Sequence, residues 1–478
     1  MFFSSGAIFF QIGVCLLATL ILVAVLRRGP LSLGLPFAYC ILLLLNHLPG
    51  AWVTAIRSQS YGQIELVKTG ITITAIGVCS FVGGVWIARR TLNAAWSVGN
   101  WRQMNIALEA VPQRFLIFCL AGGWFLTFVV QVAINVPSIN AVVEKGSAIW
   151  LLAVLIGLAK SVKRRSLASV LLWVIALLIY PTFVLVVGGF ASWGSASIIM
   201  VISVFSVISK HYWKVILATT VVGVMSLSLF VNYFGIRKEL RSAAWGGAPI
   251  SERASVAMKI FTNLRLVSIE NSDDYSAINK RLNQNYFIGV AAQRLDSGQA
   301  EFLWGRSIWE GVIALVPRVF WPGKPVVGGS GSIVSDITGL PLESQQTAWG
   351  VGSVMEFYIN FGFPGLIFGM LILGFIISRL DAQAASKLAS RNYGQSFVYF
   401  LPCAALIQPL GSMVELSGGA MAALLASLAW RWGWMQFSWT KSQRRLRQEA
   451  TANTARSRLP HASRAPLPSR PTPYDVTR

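Results

Sequence analysis

Acidic side chains are scarce: 18 Asp and Glu stand against 40 Lys and Arg, a formal net charge of +22, although only 12% of residues are charged. In a soluble protein that balance would suggest nucleic acid. Here the cations sit in short segments at the ends of apolar runs, which signals membrane topology and excludes nucleic acid as a partner. The five cysteines, Cys15, Cys40, Cys79, Cys119 and Cys403, all fall in apolar stretches. That argues against a disulfide framework and leaves packing as their expected role. The three histidines, His47, His211 and His461, are far apart and lack ligand spacing, so no metal site is expected. A phosphate-binding GxxxxGK[ST], a dinucleotide fingerprint and HExxH are also missing, so the sequence calls for no nucleotide and no other cofactor.

Apolar residues, by contrast, make up 55% of the 478 positions, and the mean hydropathy is +0.61. This is the composition of a polytopic, all-α integral membrane protein. Apolar runs at about 7–26, 31–49, 69–88 and 115–134, a shortish fifth that ends at Lys160, and runs at about 167–187, 194–209, 215–234, 361–378, 395–411 and 416–436 predict about eleven transmembrane helices. The first lacks a basic leader and a small-residue cleavage site, so it reads as a retained span. Arg27-Arg28, Arg89-Arg90, the run Lys160 to Arg165, Lys210, Lys214, Arg379, Lys387 and Arg391 alternate to one side, whereas the opposite short loops hold only Arg57, Lys68 and Lys145. The positive-inside rule then places the amino end outside and the carboxyl tail in the cytoplasm.

Four regions follow. Residues 1–234 carry spans one to eight, and 235–347 form one large, mainly helical extracytoplasmic loop. Residues 348–437 hold a lip helix at about 349–360 and spans nine to eleven, divided near Gly362, Pro364 and Gly365. Residues 438–478 are basic and rich in proline, a tail expected to be disordered and to touch anionic membrane lipid.

The large loop holds ten of the 18 carboxylates and many cations, so ionisable groups of both signs gather at one outer face. That is where chemistry is expected. Ser251 reads as the cap of a helix running through Phe261, and Asp273-Asp274 as a solvated turn. Trp304 and Trp309 suit a bilayer interface. Pro317, Pro322 and Pro325 each remove a donor, so Val316–Pro325 is neither helix nor ladder strand and holds Arg318 and Lys324 beside Trp321.

Two patterns carry a resemblance to a known family. One is Pro317-Arg318 followed by Trp321-Pro322-x-Lys324-Pro325, with Leu303-Trp-Gly-Arg-Ser307 before it. The other is Gly352-x-x-x-Glu356-x-Tyr358-x-Asn360-Phe-Gly362 at the entry to a span. With many spans and one large outer loop, the chain resembles the oligosaccharide repeat unit polymerases (O-antigen polymerase, Wzy-like), most strongly over about 290–375. The resemblance implies a bacterial inner-membrane glycosyltransferase that joins polyprenyl-diphosphate-linked oligosaccharides into O-antigen or exopolysaccharide. It implies partnership with a chain-length regulator and a flippase of the same route.

On that reading Arg318 and Arg294 hold and neutralise the departing diphosphate, with Lys324 beside them, because a guanidinium grips phosphate oxygens bidentately without a metal. Glu356 is the carboxylate expected to take the acceptor's proton. Trp321, Tyr358 and Asn360 would meet sugar, while Arg237, Arg241, Arg265 and Arg281 are second-line cations. Each also has a plainer reading. The arginines and Lys324 can pair with loop acids or reach lipid headgroups, Glu356 can belong to a structural ion pair, the aromatics can form an interfacial belt, and His47 can simply pack. Two alternatives stay open: a ligase passing finished glycan from the same lipid donor to another acceptor, and a lipid-linked oligosaccharide transporter or flippase. The transporter expects midspan charges or internal repeats, and neither is evident.

Overall fold

The computed structural model describes residues 2–58, 60–91, 101–133, 137–188, 192–209, 212–268, 270–316, 318, 321–325, 329–341 and 349–457. These residues contain helices and no strand, as suits a medium without water, where each segment must satisfy its own backbone. The amino-terminal helices are α1 (Phe2–Arg28), α2 (Leu35–Arg57), α3 (Tyr61–Thr91), α4 (Trp101–Ala110) and α5 (Gln113–Phe125). A π-helical turn (Leu126–Val130) leads to α6 (Gln131–Ala133), α7 (Pro137–Ser147), α8 (Ile149–Lys163), α9 (Leu167–Gly188), α10 (Ser192–Ile208) and α11 (Tyr212–Trp245). Four shorter helices follow: α12 (Ile250–Thr262), α13 (Ser272–Arg281), α14 (Gln284–Asp296) and α15 (Arg306–Ala314). Last come α16 (Ser330–Thr338), α17 (Gly352–Ala389), α18 (Tyr393–Leu406) and α19 (Met413–Ser457). Residues up to Arg431 form one compact unit, and those from Trp432 a second.

Among the described residues, eight helical segments are long and apolar enough to cross a membrane: α1, α2, α3, α5 with its π turn, Ile139–Lys163, α9, α17 and Met413–Ser438. The protein is therefore a helical membrane protein. The other three expected spans fall on α10, α11 and α18. With 14 residues, α18 rises only about 21 Å, short of a hydrocarbon core of about 30 Å.

Helix α3 is the axis of the bundle. Gly70, Gly77 and Gly84 recur every seventh residue and so lie along one side of it. A methyl at Gly84 would meet the carbonyl oxygen of Leu371 at 2.0 Å, and one at Gly70 that of Asn285 at 1.9 Å. The partners reciprocate: a methyl at Gly374 on α17 would lie 2.2 Å from the Phe81 oxygen, and one at Gly289 on α14 2.0 Å from the Leu66 oxygen. Small residues let these backbones touch, which is how helices gain van der Waals contact in lipid. As a result α14, a part of the expected outer loop, is packed against a spanning helix.

Two buried polar clusters pin the ends. On α17, Asp381 accepts from Ser32 Oγ (2.5 Å), the Leu33 N–H (2.9 Å), the Leu35 N–H (3.3 Å) and Arg89 (3.2 Å). Arg89 also donates to the Pro30 carbonyl. Both side chains are buried, so the α1–α2 turn is tied to α3 and α17 at their basic ends. In the second cluster, Asn285 Oδ1 lies 2.9 Å from both His47 Nδ1 and Thr74 Oγ1, and Asn285 Nδ2 donates to the His47 carbonyl at 2.8 Å. His47 is thus held as a packing group between α2, α3 and α14.

Local expectations need three corrections. Helix α12 starts at Ile250 with Pro249 as its cap, so Ser251 lies inside the first turn. Asp274 is not solvated: it is fully buried and takes both guanidinium nitrogens of Arg265 and the Ser268 N–H. Finally, α19 continues to Ser457, well past the expected end of the last span. The basic tail beyond it lies outside the described residues.

Candidate functional site

The site grows from a break in α17. Residues 351–360 are all buried. The helix then fails at Phe361 (φ −144°, ψ 22°) and Gly362 (φ 64°, ψ −147°), the second a conformation open essentially to glycine alone. Pro364 follows in the first turn of the resumed helix, where its missing N–H costs nothing. Asn360, the last residue before the interruption, ties it to the turn before α15. Its Nδ2 donates to the Glu356 carbonyl and to Ser307 Oγ, both at 2.7 Å, while its Oδ1 accepts the Gly305 N–H at 2.9 Å. The Leu303 N–H donates to the Ile359 carbonyl at 2.9 Å. The turn before α15 is thereby clamped to the end of the buried segment.

Glu356 lies one turn back from this clamp and has no exposed surface. One carboxyl oxygen accepts the Met413 N–H at 2.7 Å, at the start of α19, where the helix dipole favours negative charge. The other, Oε1, is buried without a hydrogen bond of good geometry, and the Ser307 hydroxyl faces the same carboxyl. Glu310 and Glu415 add negative charge to its surroundings. Glu415 completes a capping box, taking the Ser412 N–H (3.1 Å) while its own N–H donates to Ser412 Oγ (3.3 Å), and it also accepts from Ser330 Oγ (2.9 Å) on α16. Ser417 Oγ donates to the Gly311 carbonyl at 2.5 Å, seating α15 on α19. The buried carboxyl thus feels the charges of Glu310 on α15 and Glu415 on α19, which are themselves bonded to Arg306 and to Ser330 and the Ser412 N–H.

The expected cations are held elsewhere. Arg318 is exposed and curls onto its own loop, donating to the carbonyls of Lys324 (3.0 Å) and Pro325 (3.5 Å). Lys324 closes the loop by donating to the Val316 carbonyl at 2.9 Å. Burial, and then the neighbouring Arg318 charge, lower the Lys324 amine below the ordinary lysine value. Trp321 on this loop is exposed, and Pro317 lies outside the described residues. Arg294, in the last turn of α14, donates to the Gln299 carbonyl at 3.2 Å. Its guanidinium fills the space beside Gly339, where a methyl would lie 2.5 Å from Nη1, and its Nε is buried without a partner.

The second-line cations are dispersed over α11 to α13. Arg237 lies over Phe234 (5.9 Å), Arg241 over Trp245 (5.2 Å), Arg265 is paired with Asp274, and Arg281 stands in the last turn of α13. Among the described residues no hydrogen bond or ion pair joins any of these arginines to Glu356. Tyr358 is buried edge-on to Phe363, with ring centroids 5.4 Å apart.

Of the expected site residues, then, Glu356, Tyr358 and Asn360 share one buried segment, Arg318, Lys324 and Trp321 share one loop, and Arg294 stands on α14. Sequence reasoning missed Ser307, Met413 and Glu415 around Glu356, and Ser330 and Ser412 as the partners of Glu415. The spacing Ser412-x-x-Glu415 was the available signal for a helix start there.

No curated protein and no solved structure matches the chain. The model of one family does, over residues 36–416, a stretch that runs from α2 to the first turn of α19 and includes Glu356 with every neighbour named above. The chain therefore belongs to the family described as "Domain of unknown function (DUF8712)".

Proposed function

We propose that this protein polymerises polyprenyl-diphosphate-linked oligosaccharide repeat units at the outer face of a bacterial inner membrane, with its amino end outside and its tail cytoplasmic. The observation that supports it is the fully buried carboxylate of Glu356, of whose two oxygens only Oε2 has a hydrogen bond of good geometry, from the Met413 N–H. A buried carboxylate whose hydrogen bonding is incomplete is costly, and an acceptor hydroxyl reaching Oε1 beside the Ser307 hydroxyl would add to it. In the reaction, an acceptor hydroxyl oxygen bonds to the anomeric carbon of the donor sugar as the bond from that carbon to the diphosphate breaks. Glu356 takes the hydroxyl proton, and the lipid diphosphate departs as an anion. Arg294 and Arg318, with Lys324, meet that charge. Arg318 is exposed and bound only to carbonyls of its own loop, so exchanging them for phosphate oxygens costs little.

Incubating the purified full-length protein in nanodiscs with lipid-diphosphate repeat units, with and without a chelator, tests this reading on a gel. A ladder of lengthened glycan on the carrier lipid is expected in both arms, and Glu356→Gln should reduce its rate about 10²- to 10⁴-fold. Transfer of finished glycan to another acceptor without lengthening would point to a ligase. An intact ladder from Glu356→Gln would remove Glu356 from the chemistry.

A further inference from the structure

A second polar site lies inside the bundle, built from other residues. Helix α8 is the most enclosed of the helices, with every residue from Ile149 to Ser161 buried. At its amino end a cavity of about 60 Å³ opens among α7, α8, α9, α10 and the end of α18. Its wall includes Trp150 and Tyr180, whose ring centroids are 5.2 Å apart. Glu144 and Lys145 also line it and pair with each other at 2.8 Å, with the Glu144 side chain 38% exposed. Gln408 lines it too, and its Nε2 is buried with no hydrogen-bond partner. A buried amide donor left unsatisfied is costly, so this one is waiting for an acceptor.

The lining specifies the ligand's chemistry. The carboxylate and the ammonium cancel, and no other charged group lines the cavity, so nothing here favours a diphosphate. What remains is a carboxylate that accepts, an amide that donates, a phenol that does both, and an aromatic wall. That combination suits a ring with hydroxyls on its edge and C–H groups on its face. The volume admits a few waters, each taking about 10–15 Å³ by this measure, or the hydroxyl-bearing edge of one ring.

We propose that this cavity recognises the hydroxyl edge of an uncharged sugar residue, with Gln408 donating from within, Glu144 accepting at the opening and the Trp150–Tyr180 pair flanking the ring. Its position bears on the carboxylate site. The loop holding Gln408 is sewn to the start of α17, the Ser353 N–H donating to the Pro409 carbonyl (3.1 Å) and the Gly352 N–H to that of Leu410 (3.2 Å). Five residues after Gln408, the Met413 N–H holds Glu356. Five residues of chain reach at most about 17 Å, a distance that a short oligosaccharide bridges. Assigning the sugar to the acceptor glycan rests on the polymerase reading, whereas the binding itself does not.

The test uses the full-length protein in phosphatidylcholine nanodiscs and saturation-transfer NMR with glucose, galactose, mannose and N-acetylglucosamine, plus galactose 1-phosphate as the charged probe. At least one neutral sugar should bind saturably and more tightly than the phosphate. Gln408→Leu should weaken it about three- to tenfold, the loss of one neutral hydrogen bond, and Glu144→Gln should weaken it further. Ala405→Leu, which fills the cavity, should abolish it, and Glu356→Gln should leave it unchanged. Binding of no neutral sugar by the wild-type protein, preference for the phosphate, or unchanged binding in folded Gln408→Leu would each overturn the proposal in favour of a cavity that holds only water. A protein that binds the sugar yet lengthens no glycan refutes the polymerase reading and leaves this site standing. One that lengthens glycan and binds no sugar does the reverse.

Discussion

Replacing Asp381 by Asn tests the physical basis of the bundle, because the change is nearly isosteric: it removes the charge and turns the oxygen that accepts from Ser32 and Arg89 into a donor. The native carboxylate accepts from Ser32, Leu33, Leu35 and Arg89 and has no exposed surface. An asparagine oxygen can still take the two backbone N–H groups. Arg89, itself 5% exposed, is left as a buried cation with no counter-charge. Breaking a buried pair on one side costs about 3–5 kcal/mol. Replacing both partners by apolar groups, Arg89→Met with Asp381→Leu, removes the desolvation penalty along with the attraction, so the double variant should recover most of that loss. Thermal unfolding in one detergent supplies the assay, with Glu109→Gln as the control, because its pair with Lys163 is exposed on both sides. The single variant should unfold well below the wild-type protein and below the double variant, and the control should match the wild type. A double variant as unstable as Asp381→Asn would refute the reasoning, since the cluster would then owe its strength to the charge pair itself rather than to avoiding an orphaned charge.

Gly84→Ala places a methyl 2.0 Å from the Leu371 carbonyl oxygen, whereas Gly83→Ala meets nothing within 4 Å. The first should cost about 1–3 kcal/mol and the second should be neutral in the same unfolding assay. Gly362→Ala forces a side chain into a region reserved for glycine and should cost about 1–3 kcal/mol, read as a lowered unfolding temperature. Asn360→Ala leaves the Gly305 N–H, the Ser307 hydroxyl and the Glu356 carbonyl without their partner, so hydrogen exchange should accelerate at 303–307 and stay unchanged at 29–35. Glu356→Gln, which removes a buried charge while keeping an acceptor for the Met413 N–H, should leave stability unchanged or raised even as glycan lengthening stops. A strongly destabilised Glu356→Gln protein would mean that the carboxylate is structural.

How far the sequence could be read depends on which force decides each feature. Hydropathy is summed over some twenty neighbours, so the apolar runs and the helical class were legible without coordinates, and so was the division of 348–378 at Gly362 and Pro364. Caps and ion pairs depend on one or two partners, and there the reading slipped. Ser251 has the chemistry of a cap, yet Pro249 already supplies the extended entry to α12 one residue before Ile250. Asp274 looked solvated because its partner Arg265 stands nine residues earlier across a turn. Arg318 and Lys324 bond carbonyls of their own loop, a use that proline positions alone do not specify.

What the sequence by itself determined is the kind of molecule: a basic membrane chain of apolar helices, with its ionisable groups concentrated in and after one long polar stretch. Tertiary structure alone decided that Glu356 meets Met413, that Asn285 reaches His47, and that Gln408 opens into the cavity beside Trp150. These partners are separated by 57, 238 and 258 positions. They come together through packing between elements far apart in the chain, and although the seam glycines of α3 recur every seventh residue, nothing in that spacing says which helix will lie against them.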